Sequence, residues 1–248
     1  MKNNKPLRLL AGGAGIILII LLLILTMSLT GNPISKVLAT RTADKYVEDN
    51  YSDQGFIRDE TYYNFKFTSY AVEYYKGNSK DIHFNIETDY LGRLNYDGYQ
   101  EAVLSKWNTR MRLNDEFNDY VEKLLRDNLD YDYNMINADN LNDENSENLS
   151  KLEIDMVFDF QNIALDHYLT IYIYEENRTL EKVEEVILEV DDLMEEYNLD
   201  ISRYSIILEE PRDENDIMGE NLGVFEFPKE YIDSENLPER LKEFYMHN

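Results

Sequence analysis

"SYAVEYYKGNSKDIHFNIETDYLGRLNYD", residues 69–97, decides the fold of the first half of this chain. Ile82, Phe84 and Ile86 alternate with His83, Asn85 and Glu87, so a strand over 82–87 has one apolar and one polar face. Val72 and Tyr74 form a second period-two set, and Tyr63, Phe65 and Phe67 upstream form a third. Turn residues separate the runs: "KGNS" at 76–79 and "LGR" at 91–93. The pattern predicts an antiparallel meander of three or four strands.

Upstream, "ISKVLATRTADKYVEDNY" (34–51) reads as a helix, with Ala39, Ala43, Tyr46 and Val47 on one face. Before it stands "IILIILLLILTMSLTGNPISK", residues 16–36, the end of an uncharged run from Leu9 to Leu29. A helix of that length spans roughly 31 Å, the thickness of a bilayer core. A signal-peptide core is shorter, about 7–15 residues, and ends at a small-x-small cleavage site. Ser28-Leu29-Thr30 matches such a site weakly, and Val37-Leu38-Ala39 lies too far downstream. The reading is therefore an uncleaved anchor over 9–30, and Gly31 and Pro33 end the membrane helix. Lys2, Lys5 and Arg8 precede it, so the positive-inside rule predicts a cytoplasmic tail at 1–8 and an extracytoplasmic remainder.

The net charge is −26, and the three basic residues at the N-terminus leave −29 for the rest. Such a field repels nucleic acid and anionic headgroups and admits basic peptides, basic proteins and divalent cations. The chain has no cysteine. Disulfides, thiolate metal sites, a cysteine nucleophile and a lipid-modified cysteine anchor are excluded, which suits the exterior of a single-membrane bacterium.

Downstream, a helix is expected over 101–127, with Leu113, Phe117, Val121 and Leu124 packed on the meander. Between 128 and 150, 13 of 23 residues are Asn, Asp or Glu, a composition that reads as a linker and domain boundary. Beyond it "KLEIDMVFDF" (151–160) and "DHYLTIYIYE" (166–175) read as strands. Thr179 caps a helix through Leu180, Val183, Ile187, Val190 and Met194, whose other side carries Glu181, Glu184, Glu185 and Glu189. "SRYSIILEE" and "GVFEFP" add strands, and Ser234 caps a last helix. The expected organisation is a tail (1–8), an anchor (9–30), helix–meander–helix (34–127), an acidic linker (128–150) and a ββαββα sandwich (151–248). The class is α+β, with a transmembrane helix followed by two small antiparallel-sheet-plus-helix units.

The helix "NPISKVLATRTADKYVEDNY", the strands "YNFKFTSYAVEY" and the segment "WNTRMRLNDEFNDYVEKL" carry a family resemblance. The chain resembles the YfjL-like family of bacterial single-pass membrane-anchored proteins over residues 1–125, and less so beyond. The resemblance implies topology and fold, and brings with it no catalytic residue, cofactor or ligand. At the level of fold alone, a helix followed by a meander is also similar to cystatin-like domains and peptidase-regulating PepSY modules.

Motifs that would carry chemistry are sparse. Asp130, Asp132 and Asn134 stand at positions 1, 3 and 5 of an EF-hand loop, but Met135 replaces its glycine and Leu141 its glutamate. They are the weak metal candidates. His83, His167 and His247 form no ligand pair, and no G-x-S-x-G elbow or glycine-rich phosphate loop exists. Paired carboxylates could hydrolyse glycosides, yet with 50 acids some pair is close in any fold. The sequons Asn148-Leu149-Ser150 and Asn177-Arg178-Thr179 carry little weight in a bacterial setting. The expectation is a surface binding module for a basic peptide or protein, without enzymatic activity and without a cofactor. The alternatives are an extracytoplasmic hydrolase and a weakly cation-responsive structural domain.

Overall fold

A computed structural model describes residues 5–139, 151–157, 159, 167–211 and 221–247. The chain divides into two compact units, Met1–Asn108 and Thr109–Asn248.

The first unit begins with α1 (Lys5–Thr30), whose 26 residues span about 39 Å at 1.5 Å per residue. Its side chains from Ile16 to Leu25 are all exposed, and it is long and apolar enough to cross a membrane. Gly31, at φ +78°, ends it. Asn32 then caps α2 (Pro33–Tyr51) by accepting from the Ile34 N–H at 2.9 Å. Ser35, Ala39, Ala43 and Val47 are the buried face of α2, as its spacing predicts, and its small residues let the helix lie close to the sheet.

That sheet is the expected meander, with four strands in the order β1 (Ile57–Asn64), β2 (Ser69–Tyr75), β3 (His83–Thr88) and β4 (Leu94–Asp97), all antiparallel. Val72 faces Ile86 and Tyr74 faces Phe84 across the ladder. These four join Ala39, Ala43, Val47, Tyr70 and Val103 in one core. Phe65 and Phe67 depart from the alternation: they lie in the β1–β2 turn and are each 67% exposed. A π-helical turn (Gln100–Leu104) and a left-handed Lys106 (φ +63°) interrupt the helix expected from residue 101, so α3 (Trp107–Asn128) starts later.

The second unit holds a five-stranded sheet ordered β5 (Tyr133–Asp139), β6 (His167–Tyr174), β7 (Ile201–Glu209), β8 (Asn221–Pro228) and β9 (Tyr245–His247). α4 (Leu180–Glu196) connects β6 to β7, which pair in parallel, while the other neighbours are antiparallel. A 3₁₀ turn (Lys229–Tyr231) and α5 (Leu237–Glu243) fill the segment between β8 and β9. The core unites Val183, Ile187, Val190 and Met194 of α4 with Leu169, Ile171 and Ile173 of β6 and with Tyr204, Ile206 and Leu208 of β7.

Four sequence expectations are corrected here. The segment 128–150 is not a linker throughout, because β5 occupies 133–139 and buries Tyr133, Ile136 and Ala138; 140–150 lie outside the described residues. No strand forms over 151–157, where Leu152 alone is fully buried. Phe117, Val121 and Leu124 of α3 pack in the core of the second unit rather than on the meander. The second sheet is mixed rather than antiparallel, since a helical crossover between neighbouring strands yields a parallel pair. A smaller difference concerns Ser234, which donates to the Tyr231 carbonyl at 2.7 Å, whereas Asn236 precedes α5.

Candidate functional site: an acidic, aromatic groove

In the first unit the C-terminal half of α2 lies over the ends of β1 and β2. Asp44, Glu48 and Tyr51 share one helix face at i, i+4 and i+7. With Phe56, Arg58 and Tyr74 they line a recess of about 410 Å³. A second recess of about 270 Å³ also uses Tyr74 and is lined by Asp59, Glu73, His83 and Asn108. They share Tyr74, while Glu73, His83 and Asn85 belong to the other face of the sheet; the first recess is the groove, with tyrosine and phenylalanine rings on its floor and the Asp44 and Glu48 carboxylates on its rim.

The floor is a cluster of rings. Tyr51 and Phe56 meet edge-on with centroids 5.8 Å apart, Phe56 and Phe84 at 4.9 Å, and Tyr74 stacks on Phe84 at 5.7 Å. Hydrogen bonds fix the ring orientations. Tyr74 donates to Asp44 Oδ1 at 2.9 Å, while Tyr51 and Tyr46 both donate to Asp97 Oδ2, at 2.6 and 3.0 Å. Burial, then the hydrogen bond to Asp44 and its charge, push the Tyr74 hydroxyl well above its ordinary pKa, with Arg58 partly opposing. Burial and Asp97 do the same to Tyr51. Both phenols are therefore neutral donors at any physiological pH.

The second carboxylate of interest lies in the other unit. Asp191 of α4 is buried, accepts from the fully buried Tyr204 hydroxyl at 2.5 Å, and sits 3.6 Å from Lys229 Nζ, which also contacts Glu195 at 3.1 Å. Burial pushes the Asp191 carboxyl up, and the Tyr204 hydrogen bond and the Lys229 charge partly offset it. This cluster ties α4 to β7 and to the 3₁₀ turn, and it lines neither recess.

Asp130 and Asp132 are exposed just ahead of β5, and Asn134 stands on that strand and donates to Glu209 Oε2. An extended chain over 133–139 does not wrap an ion as an EF-hand loop does. Among the described residues no group of three or more His, Asp or Glu is arranged to hold a metal. His83 is exposed on the polar face predicted for it, and His167 is buried and stacked on Phe117, with centroids 4.1 Å apart. Sequence reasoning missed the groove. Its one local signal is the Asp44/Glu48/Tyr51 spacing; Phe56, Arg58 and Tyr74 join only through the tertiary fold.

A family model described as the YfjL-like N-terminal domain matches residues 6–98, and a second, the YfjL-like C-terminal domain, matches residues 116–242. The chain belongs to the YfjL-like family. The match extends well past the first 125 residues, where the sequence resemblance was strongest, and covers β5 to β8 and all but the last residue of α5, leaving out β9. The groove lies wholly within the YfjL-like N-terminal domain. Neither a curated protein nor a solved structure matches the chain.

Proposed function

We propose that this YfjL-like protein is a single-pass membrane protein with a cytoplasmic N-terminus, and that its extracytoplasmic part binds a cationic peptide segment in the groove of the first unit. The anchor reading is supported by α1, exposed from Gly12 to Thr30 along its uncharged run, with Lys2, Lys5 and Arg8 before that run and a strongly acidic chain after it. One observation carries the binding reading: the carboxylates of Asp44 and Glu48 stand beside the rings of Tyr51, Phe56 and Tyr74 in one recess. An ammonium or guanidinium there gains charge-assisted hydrogen bonds and a ring face at once. The chain's own Arg58 already uses this chemistry, pairing with Asp44 across the groove. Both partners of that pair are exposed by more than two fifths, so the pair is weak and open to exchange with an incoming cation.

The hydrolase alternative has less support, because the carboxyl that burial most favours in its protonated form, Asp191, is bonded to Tyr204 and Lys229 and lines no recess. The test is calorimetric titration of the full chain in nanodiscs with trilysine, triarginine and triglutamate. Basic peptides should bind and the acidic one should not. Asp44→Asn with Glu48→Gln should weaken the basic peptides about tenfold, a loss of about 1.4 kcal/mol. Equal binding of all three peptides, or an unaffected double variant, would refute the proposal.

A further inference from the structure

The opposite end of the first unit has a different character. In an antiparallel meander the β1–β2 and β3–β4 turns lie at one end of the sheet, and the β2–β3 turn lies at the other. The end that carries the two turns is also where α1 hands over to α2. Asn32 donates its N–H to the Tyr70 hydroxyl at 2.5 Å, and a Cβ on Gly31 would stand only 2.7 Å from Tyr63 Cβ and Cγ. On the same side Thr40 and Thr61 share a hydrogen bond of 2.9 Å, and Thr42 donates to the Gly92 carbonyl at 2.7 Å. The exit of the apolar helix is packed directly onto the sheet.

This end exposes large apolar side chains: Phe65 and Phe67 at 67%, Tyr90 at 58%, Leu91 at 53%, Ile34 at 71% and Val37 at 50%. Turn tips ordinarily carry Gly, Asn, Asp or Pro, for backbone reasons that phenylalanine does not serve. No core contact accounts for two exposed rings flanking a lysine. The local charge is also reversed. Lys36, Lys66 and Arg93 are found here, with the Lys66 ammonium 5.5 Å from the Phe67 ring centroid. Asp89, the acid of the β3–β4 turn, is bonded to Arg93 at 2.7 Å. In a chain of net charge −26, this end sets rings and cations directly beside the apolar helix.

Resting on the membrane-anchor reading, we infer that these turns and the first turns of α2 form a seat for the lipid interface, with Phe65, Phe67, Tyr90 and Leu91 at headgroup depth. Continuity with α1 selects lipid as the occupant. With the exit of α1 fixed against Tyr63 and Tyr70, the two turns reach the interface when the helix spans it. Aromatic and aliphatic tips flanked by Lys and Arg match an interface with anionic headgroups, which the rest of the chain would repel. The seat points the sheet the other way, so the groove opens toward water.

The chain has no cysteine, so a single one reports cleanly. Full-length Ile20→Cys, Phe67→Cys and Asn78→Cys variants are nitroxide-labelled and reconstituted in vesicles of phosphatidylcholine and phosphatidylglycerol. Collision rates with oxygen, which partitions into lipid, are compared with those of a water-soluble nickel chelate. The labels at 20 and 67 should favour oxygen severalfold, and the label at 78, in the β2–β3 turn, should favour nickel. A label at 67 that behaves like the one at 78, while 20 is in lipid, overturns the seat and leaves the anchor intact. Nickel access at 20 overturns the anchor and the seat with it. As an independent check, Phe67→Trp in a Trp107→Phe background should be quenched by brominated acyl chains, whereas native Trp107 should not. Equal quenching of the two refutes the inference.

Discussion

Replacing Gly31 by alanine tests how firmly the apolar helix is joined to the sheet. Two costs add. At φ +78° a Cβ is strained, by about 1 kcal/mol relative to glycine. The new methyl would also stand 2.7 Å from Tyr63 Cβ and Cγ and 3.1 Å from the Tyr70 hydroxyl. Tyr63 Cβ is held by its own strand and cannot swing aside, so the crowding costs a further 1–3 kcal/mol, approximately the range for overpacked sites. Gly55 provides the control. It too has positive φ, +69°, but nothing lies within 4 Å of its added Cβ, so Gly55→Ala carries the strain without the clash. The assay is hydrogen exchange by mass spectrometry on the full chain, following peptides across β1 and β2, with β6 of the other unit as reference. The excess of Gly31→Ala over Gly55→Ala should speed exchange roughly 5- to 150-fold, the equivalent of about 1–3 kcal/mol of lost protection. Indistinguishable exchange in the two variants would mean that the junction yields freely, and the packed exit described above would be wrong.

Three further outcomes are expected. The Asp191 carboxyl is raised above its ordinary 3.8 in the folded state, so the native chain holds its proton more tightly. Its contribution to stability is therefore full below 3.8 and is lost as pH rises through the folded value. Asp191→Asn, which keeps an acceptor for Tyr204, should flatten that part of the slope in melts of the second unit, and an unchanged slope would count against burial as the cause. Phe117→Ala should destabilise the second unit by about 3–5 kcal/mol and leave β2 and β3 exchange unaltered, as measured by urea unfolding with hydrogen exchange. Millimolar calcium should leave the melting temperature unchanged, whereas a site with a dissociation constant of about 0.1 mM would add about 1.4 kcal/mol at 1 mM calcium.

The meander, α2 and α4 are legible because alternation and helical spacing each survive over enough residues to exclude the other period. β5 is not. Its buried residues, Tyr133, Ile136 and Ala138, are spaced three and then two apart, because a register shift between Tyr133 and Met135 breaks the alternation. Set among asparagines and aspartates, that pattern looks like a loop. The stripe of α3 was read correctly and assigned to the wrong sheet, since an amphipathic face says that it is buried but not against what. In β7 six consecutive buried residues, Tyr204 to Glu209, mark a strand covered on both sides, a signal of a parallel interior that "YSIILE" does carry. The groove was half visible: local spacing gives Asp44, Glu48 and Tyr51, while the rings opposite them come from strands whose registry the sequence does not state.

The two sheets also differ in how soon their contacts can close. Every ladder in the first joins strands adjacent in sequence, through turns as short as Phe65–Thr68. Each pairing therefore closes a small loop, and folding of that kind is fast. In the second, β6 meets β7 only across residues 175–200, which include α4, and β5 must find β6 across residues 140–166. A chain that emerges from its N-terminus can thus complete the groove-bearing unit while the strands of the other are still being made. The slow step of maturation then falls in the second unit, and lesions there would delay the protein without disabling the part already built.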